Sequence, residues 1–139
     1  MLKLEINKIK LEPKKYFHIG TDTFATDIFF FINYSLSEIK KEIKNKKKYK
    51  ELYELLSEYN ENTGDTCKGR MYPLKNGYAV ELKLYKDSHR KNISLAIHEI
   101  THLVNWILED RQIPLSKDTD EVYAYLTEEL FFKFLSKLY

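Results

Sequence analysis

Two histidines stand four positions apart in the segment IHEITHLVNWILED at residues 97–110. Apolar residues recur there at helical spacing and no proline interrupts them, so the segment predicts an amphipathic helix over 90–110. At about 100° per residue, His98 and His102 project about 40° apart and one turn removed along the axis. The helix therefore aims two imidazole rings at one point. The opposite, core-facing side is formed by Ile93, Ala96, Ile100, Leu103, Val104 and Ile107.

Two imidazoles at this spacing predict a zinc site, because neutral ring nitrogens bind zinc well and tetrahedral sites combine them with a carboxylate. Glu99 projects about 100° from His98, beside the predicted metal and not onto it. From there it can accept a proton from a water that attacks a carbonyl. We therefore predict His98 and His102 as metal ligands and Glu99 as the catalytic base. The alternative is an ordinary surface helix, and it is weakened because Leu95 and Trp106 project on the histidine side.

A third metal ligand is predicted at Glu121, which begins a second helix over 119–138. Pro114 and the polar run 116–120 turn the chain back, so that this helix runs antiparallel beside the first. Glu128 shares the face of Glu121 two turns later and is the alternative ligand. A carboxylate at Glu121 could instead stabilise the N-terminus of its own helix through the helix dipole.

The remaining elements predict a small sheet. Residues 2–11 alternate charged and apolar side chains, and residues 26–34 are apolar at consecutive positions, so both indicate strands within an N-terminal segment 1–34. The alternating run 77–86 predicts a further strand. Residues 60–77 combine Asn, Gly and Pro in the way that loops do.

One further helix is predicted over 35–60, because Ser35 and Glu38 have capping-box spacing ahead of a helical pattern. This helix contains the lysine-rich run 44–50, which could bind nucleic acid or a membrane surface. Acidic residues of the same helix dilute the run, and no row of aromatic side chains accompanies it. With a net charge of only +2, we interpret the run as a solvated helix face and expect no nucleic-acid partner.

Length and composition predict a single domain over 1–139 with a substantial core. The one cysteine, Cys67, excludes a disulfide framework within the chain and is interpreted as an ordinary thiol. The N-terminus lacks the apolar centre of a signal peptide, and no apolar run is long enough to span a membrane. We therefore expect a cytoplasmic protein with no membrane partner.

The motif HEITH, followed downstream by a helical Glu121, resembles the zincin metallopeptidases and specifically the gluzincin pattern. The metzincin continuation does not match, because Asn105 and Leu108 stand where it requires a glycine and a third histidine. The segment from GYAVELKLYK to EVYAYLTEELF is also similar to small, uncharacterised zincin-like proteins of tailed phages and prophages. This similarity covers about the C-terminal half of the chain.

The resemblance implies an α+β fold with a minimal zincin-like core: a small, mostly antiparallel sheet of about three to four strands packed with three helices. In that family the strand before the active-site helix is an edge that pairs with an extended peptide, which would be 77–86 here. The implied activity is zinc-dependent hydrolysis of a peptide or protein substrate, in the host cytoplasm if the chain is encoded by a phage. A regulatory protease resembling those that cleave phage repressors is one form of this activity.

The resemblance also leaves two points open. Larger gluzincins carry a further domain with a histidine or tyrosine that stabilises the oxyanion, and this chain has no room for that domain. The candidates here are Tyr123, Tyr125, His89 and His18. Without such a donor, the alternative is a non-catalytic, metal-stabilised binding or assembly protein of phage type that retains the HExxH site.

Overall fold

The computed structural model describes residues 10–58 and 69–139. Within these residues the fold is α+β, as predicted, with a four-stranded sheet and four α-helices. Cys67 and most of the strand predicted over 2–11 lie outside the described residues. The elements are β1 (Lys15–Gly20), β2 (Asp27–Ile32), α1 (Leu36–Ile43), α2 (Lys50–Leu56), β3 (Gly69–Leu74), β4 (Gly77–Leu82), α3 (His89–Asp110) and α4 (Asp120–Leu138), with a short 3-10 turn at Lys47–Tyr49.

The sheet has the strand order β1-β2-β4-β3, in which β2 and β4 are parallel and the other two pairs are antiparallel. The strands predicted over 26–34 and 77–86 are confirmed as β2 and β4. The prediction that 77–86 forms an edge is wrong, because β4 pairs on both sides. Among the described strands, the edge next to β4 is β3, whose sequence GRMYPL contains a glycine and a proline that disfavour strands in general. An edge strand tolerates Pro73, because its missing N–H can face outward.

Alternation along the strands divides the core into two layers. On one face of the sheet, Ile28, Phe30 and Ile32 of β2 pack in the same cluster as the buried residues of α3 and α4. On the other face, Phe31 packs with the buried residues of α1 and α2. The histidine-bearing helix α3 therefore lies on one face of the sheet, while the lysine-rich region lies on the other.

The single helix predicted over 35–60 is wrong in its middle, since α1 ends at Ile43 and α2 begins at Lys50. Its start is confirmed, because Ser35 and Glu38 form the capping box. The break falls in the run KNKKK, which offers no apolar side chain to the core between Ile43 and Tyr49. Interrupting the helix there lets both of those residues become buried.

Helices α3 and α4 confirm the elements predicted over 90–110 and 119–138, and they run antiparallel. At one end, the His89 and Tyr139 rings lie 5.9 Å apart. At the other end, the Tyr123 hydroxyl donates to the Ile113 carbonyl oxygen at 2.6 Å. One predicted core residue is misplaced, because Ile93 is 40% exposed. Among the helices of the described segments, none has both the length and the apolar character needed to cross a membrane.

Candidate metal centre

The structure brings the two histidines of HEITH together on the exposed side of α3. His98 and His102 stand one turn apart, and their Nε2 atoms lie 3.3 Å from each other. The ring centroids are 4.8 Å apart and the ring planes are nearly perpendicular. Because α3 continues without interruption from His89 to Asp110, the separation of the two rings is set by the helix itself.

This separation fits two ligands of one zinc ion. With Zn–N bonds of about 2.0–2.1 Å, neighbouring ligands of a tetrahedral ion stand roughly 3.3–3.4 Å apart. A direct N–H···N hydrogen bond between neutral rings is the other arrangement that this contact permits, and 3.3 Å is long for such a bond. The histidine pair therefore meets the geometric requirement for shared metal coordination.

Glu99 follows His98 in sequence but faces the sheet, and only 9% of its surface is exposed. Its carboxylate lies against Gly69, the first residue of the edge strand β3, such that a Cβ built on Gly69 would stand 2.3 Å from Glu99 Oε1. Burial raises the pKa of the Glu99 carboxyl, and the neighbouring charges of His98 and His102 lower that pKa to a smaller extent. A carboxyl with a raised pKa is a better proton acceptor near neutral pH than an ordinary one.

The structure does not bring Glu121 to the histidine pair. Glu121 lies in the first turn of α4, and its neighbour Tyr123 contacts Ile113, which lies beyond the end of α3. About 12 Å of helical rise separates His102 from Asp110. Because the two helices are antiparallel, the exposed Glu121 lies toward the Asp110 end of α3, away from His102.

The alternative ligand, Glu128, is better placed along the axis. It lies about 10 Å of helical rise beyond Glu121, which brings it close to the level of His102. It is exposed to solvent. Within residues 10–58 and 69–139, however, no three His, Cys, Asp or Glu side chains lie close enough together to hold a metal ion. The described site therefore consists of two imidazoles with Glu99 beside them.

The four candidate oxyanion donors are engaged elsewhere or lie open to solvent. Tyr123 is buried and donates its hydroxyl hydrogen to the Ile113 carbonyl oxygen. His18 Nε2 lies 2.8 Å from Asp27 Oδ1, and its ring stacks on Phe29. His89 contacts Tyr139 at the start of α3. The last candidate, Tyr125, is 66% exposed on α4.

Two further residues, Trp106 and Gly69, lie beside His102 and Glu99, respectively. Trp106, the only tryptophan of the chain, lies one turn after His102 and is 36% exposed. Its ring packs on that of Tyr78 at 5.8 Å. Gly69 could not be identified from the sequence, because the residues around it predict a loop. That loop prediction over 60–77 is wrong at Gly69–Leu74, which form β3. Its contact with Glu99 depends on the pairing of β3 with β4, which no local pattern encodes.

Comparison with known proteins identifies no relative of this chain. The chain matches no family model, no curated protein and no solved structure.

Proposed function

We propose that this protein is a zinc-dependent hydrolase, most simply a small metallopeptidase, with His98 and His102 as metal ligands and Glu99 as general base. The observation that carries the proposal is the convergence of the two Nε2 atoms at 3.3 Å, next to a buried carboxyl. When bound, zinc would lower the pKa of a coordinated water and polarise a substrate carbonyl. Glu99 would accept the proton of the attacking water and deliver it to the leaving amine.

The edge strand β3 supports a peptide as the substrate. Pro73 has no N–H, so its nitrogen occupies an outward-facing position on β3. Hydrogen-bonding directions repeat every second residue, so the backbone groups of Met71 and Gly69 face outward as well. An extended peptide can add to such an edge through its main chain. Gly69 also contacts Glu99, so a peptide paired there would lie beside the proposed base.

The metal ligands are tested by removing them one at a time. We expect His98→Ala and His102→Ala each to weaken zinc binding by on the order of 100-fold or more, because each removes one of the two imidazoles. Zinc affinity is measured by competition with a chelating dye. Quenching of Trp106 fluorescence by added Cu²⁺ gives an independent signal, since the indole lies one turn from His102.

The matched control is His89→Ala, an exposed histidine in the first turn of the same helix, and this variant should bind zinc as the wild type does. Equal affinity in all three variants would contradict the proposed ligands. Glu121→Gln and Glu128→Gln, measured in the same way, test whether either carboxylate is a metal ligand, as the sequence predicts.

The activity is tested with a mixture of internally quenched fluorescent peptides. Zinc-loaded protein should cleave members of the mixture, chelator-treated protein should not, and added zinc should restore cleavage. Zinc binding without cleavage of any peptide would contradict the peptidase assignment.

A second function is favoured by one observation, namely that three of the four candidate oxyanion donors, Tyr123, His18 and His89, contact other groups. A hydrogen-bond donor that stabilises the oxyanion typically lowers the activation free energy by several kcal/mol. A metal-stabilised binding or assembly protein of phage type needs no such donor. Zinc binding that raises Tm, together with an absence of hydrolysis, would identify this second function.

A further inference from the structure

Gly69 occupies a position where the backbone does not require glycine. Its φ is not in the positive range that favours glycine. What distinguishes the position is space: an added Cβ would stand 2.3 Å from Oε1, 2.6 Å from Cδ and 3.0 Å from Cγ of Glu99. The Glu99 carboxyl group therefore occupies the space that a side chain at position 69 would fill.

The other described glycines differ in what surrounds them. A Cβ on Gly20 would approach nothing closer than 3.9 Å, which is an ordinary contact. A Cβ on Gly77 would collide with the backbone carbonyl oxygen of Asp27 at 1.8 Å, so Gly77 is required by strand pairing. Among the glycines of the described segments, Gly69 is the one whose vacant side is filled by an ionisable side chain.

The face of β3 on which Gly69 lies explains its contact with the Glu99 carboxyl group. Met71, two residues along β3, packs against the core layer that contains α3, whereas Tyr72 packs in the opposite layer. Side chains two apart on a strand share a face, so a side chain at position 69 would point toward α3. The edge strand can approach Glu99 only because this position has no side chain.

We propose that Gly69 is a positioning residue that holds the Glu99 carboxyl between α3 and the edge strand, next to the histidine pair. Its catalytic meaning rests on the proposed function, since Glu99 is the base of that reaction. A larger residue at position 69 would displace the carboxyl from this space, and the imidazoles of His98 and His102 would keep their separation.

The competing explanation is that Gly69 serves close packing of β3 on α3 regardless of which side chain stands at position 99. A double-mutant cycle separates the two explanations, because residues that act on each other show non-additive effects. The variants are Gly69→Ala, Glu99→Ala and the double variant, with Gly20→Ala as the matched strand glycine that has room for a methyl group.

We expect Gly69→Ala to lower Tm by a few degrees, because the displaced Glu99 carboxyl must find another position. In the Glu99→Ala background the same substitution should cost less than about 2 °C, because the colliding atoms are gone. Gly20→Ala should also change Tm by less than about 2 °C. If Gly69→Ala does not fold, recovery of folding in the double variant supports the proposal, and failure of both contradicts it.

A spectroscopic measurement reports on the carboxyl directly. The ¹³C resonance of the Glu99 carboxyl, assigned with Glu99→Gln, should shift in Gly69→Ala and remain in place in Gly20→Ala. Equal Tm losses in the two backgrounds, or an unmoved Glu99 resonance in folded Gly69→Ala, would overturn the proposal. Neither measurement requires zinc or hydrolysis, so a failure of the proposed function is distinguishable from a failure of this inference.

Discussion

Replacing Glu99 with glutamine is expected to lower kcat for peptide hydrolysis by about 10²–10⁴-fold, the range over which positioned general bases contribute. Glutamine matches glutamate in size, so it fits the space against Gly69, but its amide cannot accept the proton of the attacking water. His98 and His102 are unchanged, so zinc binding should persist. The measurement is kcat at saturating zinc on the best peptide of the fluorescent mixture, with zinc content determined on the same sample.

The matched control is Glu109→Gln, an exposed glutamate later on the same helix, which should retain wild-type kcat and zinc content. The stability of Glu99→Gln gives a second check. Burial disfavours the charged carboxylate, so removing that charge should leave Tm unchanged or raise it slightly. A Glu99→Gln protein that hydrolyses peptides at the wild-type rate would exclude Glu99 as the base.

Replacing Phe134 with alanine is expected to lower the free energy of unfolding by about 3–5 kcal/mol, the usual cost of truncating a buried phenylalanine. Phe134 of α4 is fully buried. Its ring centroid lies 5.6 Å from that of Phe17 on β1 and 5.0 Å from that of Phe30 on β2. The cavity would therefore open where α4 joins the sheet. Urea denaturation followed by circular dichroism measures the loss.

Phe132 provides a control on the same helix, because it is 71% exposed only two residues away. Phe132→Ala should change the free energy of unfolding by no more than about 0.5 kcal/mol. If Phe134→Ala and Phe132→Ala cost the same, then α4 does not pack on the sheet as described here.

The elements that could be predicted from the sequence are those whose signals are local. The HEITH helix follows from an uninterrupted apolar period, the start of α1 from the Ser35–Glu38 capping box, and β2 and β4 from short apolar or alternating runs. The convergence of His98 and His102 was predictable for the same reason, because helix geometry alone sets their separation.

The features that could not be predicted depend on long-range pairing. The edge position belongs to β3 and not to 77–86, because strand order is set by packing over the whole sheet. The contact of Gly69 with Glu99 joins residues thirty positions apart. The position of Glu121 relative to His102 along the helix axes depends on the conformation of the turn that follows α3. That turn keeps Ile113 beside Leu108 through a backbone hydrogen bond of 2.8 Å.

Whether His98 and His102 jointly bind one metal ion is tested by zinc K-edge X-ray absorption on protein loaded with zinc and then desalted. We expect about one zinc per chain with two imidazole nitrogens at about 2.0–2.1 Å. One of these nitrogens should be lost in whatever zinc His102→Ala retains. Failure to retain zinc, or a coordination shell of oxygen atoms without imidazole, would exclude joint coordination by the two histidines.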